Sequence, residues 1–181
     1  MERVVGACGC ICNECEEIPC ERSCKNKNYT VKSIDDSQLK SSITDLVLRR
    51  LPDWFGIEEA IVEYVNKSKD TIFYAAFDND SPIGFISLKF NNKYTSEIYA
   101  MGIIKEYHHR GIGRYLIKRA INYSKENNYK FLMVKTLGES HPDIYYKKTR
   151  EFYEKAGFYP IEEINEIWGE QNPCLLMIMS I

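Results

Sequence analysis

Three stretches hold the residue types and spacings that could do chemistry. The first is His108-His109-Arg110-Gly111-Ile112-Gly113-Arg114, which opens a strongly amphipathic segment. Glycine lets a backbone approach a ligand closely. The free N–H groups of a first helical turn, with the helix dipole, favour an anion. Arg110 and Arg114 add positive charge at the same place. This chemistry suits a phosphate or pyrophosphate, though a tight strand–helix connection edged with surface arginines would read the same. A dinucleotide fingerprint needs glycine at 116, where Leu116 stands, and no Gly-Lys-Ser/Thr follows to make a P-loop. The second stretch, residues 145–160, is a helix that carries Phe152 and Tyr153 and ends at Gly157, directly before a strand.

The third stretch holds six of the seven cysteines, within residues 8–24. Cys12, Cys15, Cys20 and Cys24 fit C-x2-C-x4-C-x3-C, two short-spaced pairs able to close a tetrahedral Zn²⁺ site. Cys8 and Cys10 are surplus, and Cys8 can replace one of the four. Free or oxidised thiols, an iron–sulfur cluster and metal sensing stay open as alternatives. Zinc knuckles can bind nucleic acid. Here Glu14, Glu16, Glu17 and Glu21 sit among Arg22 and Lys25, so nucleic acid is not the expected partner.

The elements that must position these residues follow from periodicity and punctuation. A boundary near residue 28 separates the cysteine-rich extension (1–28) from the rest (29–181). "YTVKSI" reads as a first strand, and 35–51 as a helix capped by Asp35 or Asp36. A second helix starts near "GIEEA", with Ile57, Ile61, Tyr64 and Val65 on one face. "TIFYAAF" and "IGFISLKF" form a hairpin through "DNDSP", and "SEIYAMGII" is the next strand. The strongest helix buries Ile112, Leu116, Ile117, Ala120, Ile121 and Ser124. "YKFLMVKTL" is a buried strand, 144–156 a helix, and two strands near 158–168 and 174–181 finish the chain. This order predicts an α+β fold, a mixed and mostly antiparallel sheet of six to seven strands with helices on its faces.

At 181 residues with 44% hydrophobic and 28% charged residues, the chain can bury a core without staples. A net charge of −2 gives no support for a broad polyanion-binding surface. No apolar run approaches the ~18–20 residues of a membrane span, and the N-terminus lacks the apolar region of a signal peptide. The cytoplasm is the expected location, where clustered cysteines point to metal or redox chemistry more than to disulfides.

In this order, "HHRGIG" and "FYEKAGF" resemble the two signature motifs of the GNAT superfamily of acetyl-CoA-dependent N-acetyltransferases. The family pattern Gln/Arg-x-x-Gly-x-Gly/Ala falls on His108, Arg110, Gly111, Ile112 and Gly113, with histidine in the Gln/Arg position. Phe152 through Phe158 match the second motif intact, while Tyr146 stands where relatives often carry asparagine. The resemblance covers residues 29–181. It implies transfer of an acetyl group from acetyl-CoA to a primary amine of a small molecule or peptide. It places the cofactor pyrophosphate on the amides of Arg110 to Arg114; His108 and His109, in the same turn, would meet a phosphate or solvent rather than act in catalysis. It places the pantetheine arm along Tyr99 to Ile104, chiefly Met101 and Ile103, with Tyr146 as a further contact.

The resemblance also implies Tyr153 as the acid that protonates the leaving thiolate, with Tyr145 and Tyr146 as substitutes, and Glu97 as the base. Tyr153 as one ring of an aromatic core stripe, and Glu97 as an ordinary strand residue, are the plainer readings. Trp54, Phe55, Glu58, Glu59, Glu163, Trp168 and Glu170 could wall an acceptor site for a cationic amine, or be core tryptophans beneath a charged rim. A homodimer stays open. The alternative function is a metal-sensing or nucleic-acid-binding regulator in which this domain is a scaffold or acyl-CoA sensor.

Overall fold

A computed structural model describes residues 29–181. Seven strands form one sheet: β1 (Tyr29–Ser33), β2 (Ile72–Asp78), β3 (Ser81–Phe90), β4 (Thr95–Ile103), β5 (Phe131–Leu137), β6 (Tyr159–Ile164) and β7 (Cys174–Ser180). Their order across the sheet is β1-β2-β3-β4-β5-β7-β6, and every pairing is antiparallel except β4 with β5. Among the described residues four α-helices flank the sheet: α1 (Ser37–Arg49), α2 (Glu58–Ser68), α3 (Ile112–Glu126) and α4 (Ile144–Lys155). The α+β class and the strand count match the expectation.

Local chemistry explains the element ends. Asp36 caps α1 by accepting from the Leu39 N–H, and Asp143 caps α4 by accepting from the Tyr145 and Tyr146 N–H groups. The α4 helix ends in a Schellman turn. The Gly157 N–H donates to the Glu154 carbonyl and the Phe158 N–H to the Tyr153 carbonyl, with Gly157 at φ +100°. The Tyr153 and Phe158 rings pack edge to face at 5.4 Å, the apolar contact that accompanies this turn.

The sheet divides the core. On one face α3 and α4 pack on Ile86, Leu88, Ile98, Leu132, Val134 and Met177. On the other, α1 and α2 cover Phe73, Ala75, Phe85 and Ala100. Three expectations shift. The hairpin turn shrinks to Asn79-Asp80, with Asn79 at φ +52°, so Ser81 and Pro82 already belong to β3. Ile57 caps α2 from outside and is exposed, because the buried face begins a turn later. The sixth strand stops at Ile164, and a turn carries Trp168 to the surface.

Candidate active site

The central feature is a parting of two strands. The β4–β5 ladder runs only from Thr95/Phe131 to Ile98/Val134, although β4 continues to Ile103 and β5 to Leu137. Beyond the last pair each strand presents backbone N–H and C=O groups to the gap, and such groups need partners. A β-bulge sits at the same level. Ser87 pairs with Ala100 and Leu88 with Ile98, so Tyr99 is the extra residue on β4. The bulge shifts the alternation. Ile98, Met101 and Ile103 pack with the α3–α4 core, whereas Tyr99 and Ala100 pack on the α1–α2 side.

At the end of β4 the chain turns into α3 through Gly111, which caps the helix at φ +81° with open space where a Cβ would stand. The Tyr115 N–H donates to the Gly111 carbonyl, so the amides of Ile112, Gly113 and Arg114 precede the first helical bond and point outward. Gly113 is different. It is buried, and a Cβ there would lie 2.9 Å from the Phe152 ring and 3.2 Å from Ile103 Cδ1. The first glycine gives the turn its positive φ beside open space, while the second lets α3 close on α4 and β4. The His108 ring donates from Nε2 to the Ile103 carbonyl at 2.6 Å and meets the Trp54 ring edge. That nitrogen ties the turn to β4. His109 is exposed at φ +59°. Arg110 donates to the Tyr29 hydroxyl at 2.6 Å and lies over the Tyr107 ring. A surface depression of about 550 Å³, lined by Arg50, Ile104, Glu106, Tyr107 and Arg110, adjoins this turn without entering the gap between β4 and β5.

The α4 helix flanks the gap through Tyr146, Arg150 and Tyr153, spaced i, i+4, i+7 on one face. Arg150 is buried and donates to the Leu137 and Gly138 carbonyls, both at 2.9 Å, which clamps the end of β5 to α4. The Tyr146 hydroxyl donates to the Trp54 carbonyl, and Trp54 Nε1 donates to Thr149. Trp54 therefore ties the α1–α2 connection to α4. Tyr153 is buried, and burial pushes its phenol well above the ordinary tyrosine value.

Glu97 is buried among cations. Its carboxylate accepts from Lys135 Nζ at 3.1 Å and Asn91 Nδ2 at 2.7 Å, and pairs with Lys89 Nζ at 3.2 Å. It is not an exposed strand residue. Lys89 lies over the Tyr99 ring, and Tyr99 packs against Tyr64 at 5.3 Å. Burial pushes both phenols up to about 12. The buried Cys174 thiol, in the electrostatic field of Lys135 and Glu97, is pushed up to about 11, again by burial first.

Of the two readings of the acidic and aromatic residues, an acceptor wall or a solvated charged rim, the placement of the acids favours the rim. Glu58 is held by the Arg49 guanidinium at 2.7 and 2.8 Å, and Glu163 by Ser140 and the Glu139 N–H. Trp168 and Glu170 are exposed. Cys12, Cys15, Cys20 and Cys24 lie outside the described residues, and among the described residues no group of three or more His, Cys, Asp or Glu is arranged to hold a metal. Sequence reasoning placed Tyr99 only at the start of the pantetheine strand and Tyr64 only on the apolar face of α2, and it missed Arg150, Lys135 and Lys89. Of these three only Arg150 left a signal, its place in the Tyr146–Tyr153 stripe.

The fold and this site define an acyl-CoA-dependent acyltransferase architecture. The sequence profile of the Acetyltransferase (GNAT) family matches residues 40–158, and the chain belongs to that family. Solved structures agree in fold. A protein assigned to the GNAT family from Desulfovibrio desulfuricans superposes with a TM-score of 0.73 at 15% identity, covering 84% of this chain and 98% of that one. A GNAT family acetyltransferase from Elizabethkingia anophelis, with acetyl-CoA bound, gives 0.62 at 21% identity over 84% and 98%. An aminoglycoside 6'-N-acetyltransferase complexed with coenzyme A gives 0.64 at 17% over 83% and 96%. No curated protein matches the chain. Among the described residues no helix is long and apolar enough to cross a membrane.

Proposed function

We propose that the protein transfers an acetyl group from acetyl-CoA to a primary amine. The observation that carries this reading is the parted β4–β5 ladder, with an anion-ready helix N-terminus at one end and the buried Tyr153 beside it. The residues fit the cosubstrate. The amides of Ile112 to Arg114 and the Arg114 side chain suit the pyrophosphate. Backbone groups of Met101 and Ile103 suit the amide-bearing pantetheine arm. Thr136 Oγ1, buried on β5 beyond the last β4–β5 pair, has no hydrogen-bond partner among the described residues, as expected of a group that awaits a ligand.

In the reaction the neutral amine nitrogen attacks the thioester carbonyl. A C–N bond forms, the C–S bond breaks, and the electron pair leaves on sulfur. An amide of β4 can hold the developing oxyanion. Tyr153 donates to the sulfur. Its raised pKa keeps the proton in place at neutral pH but also makes full transfer to an ordinary thiolate uphill. Burial offsets this, because a thiolate in the same environment is raised too, as the Cys174 thiol is. Glu97 accepts the amine's proton through water, with Lys135, Lys89 and Asn91 holding the carboxylate in place. Tyr146, bonded to Trp54, holds the α1–α2 connection to α4. Calorimetry with acetyl-CoA, followed by CoA release in the presence of amines, tests the reading. Absence of acetyl-CoA binding would remove it.

A further inference from the structure

The polar groups on the α1–α2 side of the gap carry the wrong sign for a polycationic acceptor. Two ammonium groups, from Lys89 and Lys135, answer one buried carboxylate, Glu97. Glu63, whose charge also reaches Tyr64 and Tyr99, is paired with Lys67. One positive charge is left over. Glu97 is 3% exposed at its side chain, while Lys89 and Lys135 are 39% and 24% exposed, so the cations and not the carboxylate face solvent. An ammonium has three donors. Lys135 directs its bonds at the two Glu97 oxygens, and Lys89 makes a single contact there, so donor capacity remains on both. The Tyr99 ring beneath Lys89, and the Tyr64 ring against it, add flat apolar walls. Of the acidic side chains that might have drawn a cation, Glu58 and Glu163 have partners of their own, and Glu59 and Glu170 are exposed, outside this buried cluster.

We propose that the acceptor is a primary amine that also bears an anionic group, a carboxylate or a phosphate, which Lys135 and Lys89 hold. The proposal rests on the acetyltransferase reading. In a partly desolvated site, a like-charged partner is repelled and an opposite one held and oriented. The same lysines keep Glu97 in place, so one cluster fixes the base and orients the acceptor. A polyamine or aminoglycoside would bring several positive charges against this surplus.

The test uses the full chain at saturating acetyl-CoA with four acceptors: 4-aminobutanoate, 3-aminopropyl phosphate, butylamine and spermidine. The carboxylate or the phosphate should exceed butylamine in kcat/KM by at least about tenfold, the difference of one partly screened ion pair, and which of the two leads identifies the anion. Lys135→Met should erase that preference, and Lys135→Arg should keep it. Because Lys135→Met strips a partner from a buried carboxylate, Lys89→Met, at the more exposed lysine, provides a second reading and should reduce the preference in the same direction. A preference for butylamine or spermidine, or an unchanged preference in both Met variants, overturns the proposal. Calorimetric titration of the two anionic amines into the CoA-saturated protein reads binding apart from turnover, and no heat from either also overturns it. Failure to bind acetyl-CoA in the first place would sink the acetyltransferase reading instead.

Discussion

Replacing Gly113 by alanine separates two readings of the glycine turn. If the residue is small so that a phosphate can approach, the substitution should leave the free protein intact. The structure gives another reason. The new Cβ would stand 2.9 and 3.0 Å from two Phe152 ring atoms and 3.2 Å from Ile103 Cδ1. Carbon atoms pack comfortably at about 3.5–4.0 Å, so the ring must retreat by about half an ångström in a filled core. Overpacking of this kind costs about 1–3 kcal/mol. Alanine in place of glycine returns about 1 kcal/mol in a helix interior and about half that in the first turn, where Gly113 stands. The net expectation is a loss of about 0.5–2.5 kcal/mol in the free protein. Urea unfolding measures it, and trimming the ring tests the cause. Phe152→Leu alone should destabilise, but combined with Gly113→Ala the two should fall short of additivity by about 0.5–2 kcal/mol. A neutral or stabilising Gly113→Ala, or strict additivity of the pair, refutes the packing account.

Two further expectations concern titratable groups. Glu97→Gln leaves two lysine ammonium groups beside a neutral amide, and should cost about 1–3 kcal/mol in urea unfolding, discounted toward the lower end because both lysines are partly exposed; unchanged stability would show that the cluster is not a structural unit. Alkaline pH should unfold the protein from a predictable point. Cys174, Tyr64 and Tyr99 hold their protons more tightly folded than unfolded, with ordinary values of 9.0 and 10.0 raised to about 11 and 12. The unfolded chain therefore releases protons first as pH rises. Their contribution is fully present below about pH 9 and is lost as pH climbs toward 12. Denaturant midpoints that stay flat from pH 8 to 11 would contradict this.

Much of the fold was legible because its signals are local. The α3 stripe, the Asp36 cap and the Gly157 turn each declare themselves within a few residues, and the two motifs fall where the gap is built. What escaped depends on partners far apart in sequence. The Tyr99 bulge shows only against Ser87 and Leu88. Glu97 reads as an ordinary strand residue until β3 and β5 bring Lys89 and Lys135 beside it. Gly113 looks like a ligand glycine until Phe152 closes on it. The choice between an acidic wall and a charged rim was illegible for the same reason, since Arg49 and Ser140, which hold Glu58 and Glu163, lie far from them in sequence.

The central claim is that a buried tyrosine on α4 supplies the proton to the leaving sulfur, and Tyr153→Phe tests it most directly. The ring packs against Phe158 and Phe152, and its hydroxyl makes no hydrogen bond among the described residues, so phenylalanine should preserve stability within about 1 kcal/mol. Acetyl-CoA affinity by calorimetry should be unchanged, while kcat for acetyl transfer falls by about 10²–10⁴. An acetylation rate equal to that of the unaltered protein from pH 6 to 9 would contradict the account and leave Tyr153 as one ring of the core.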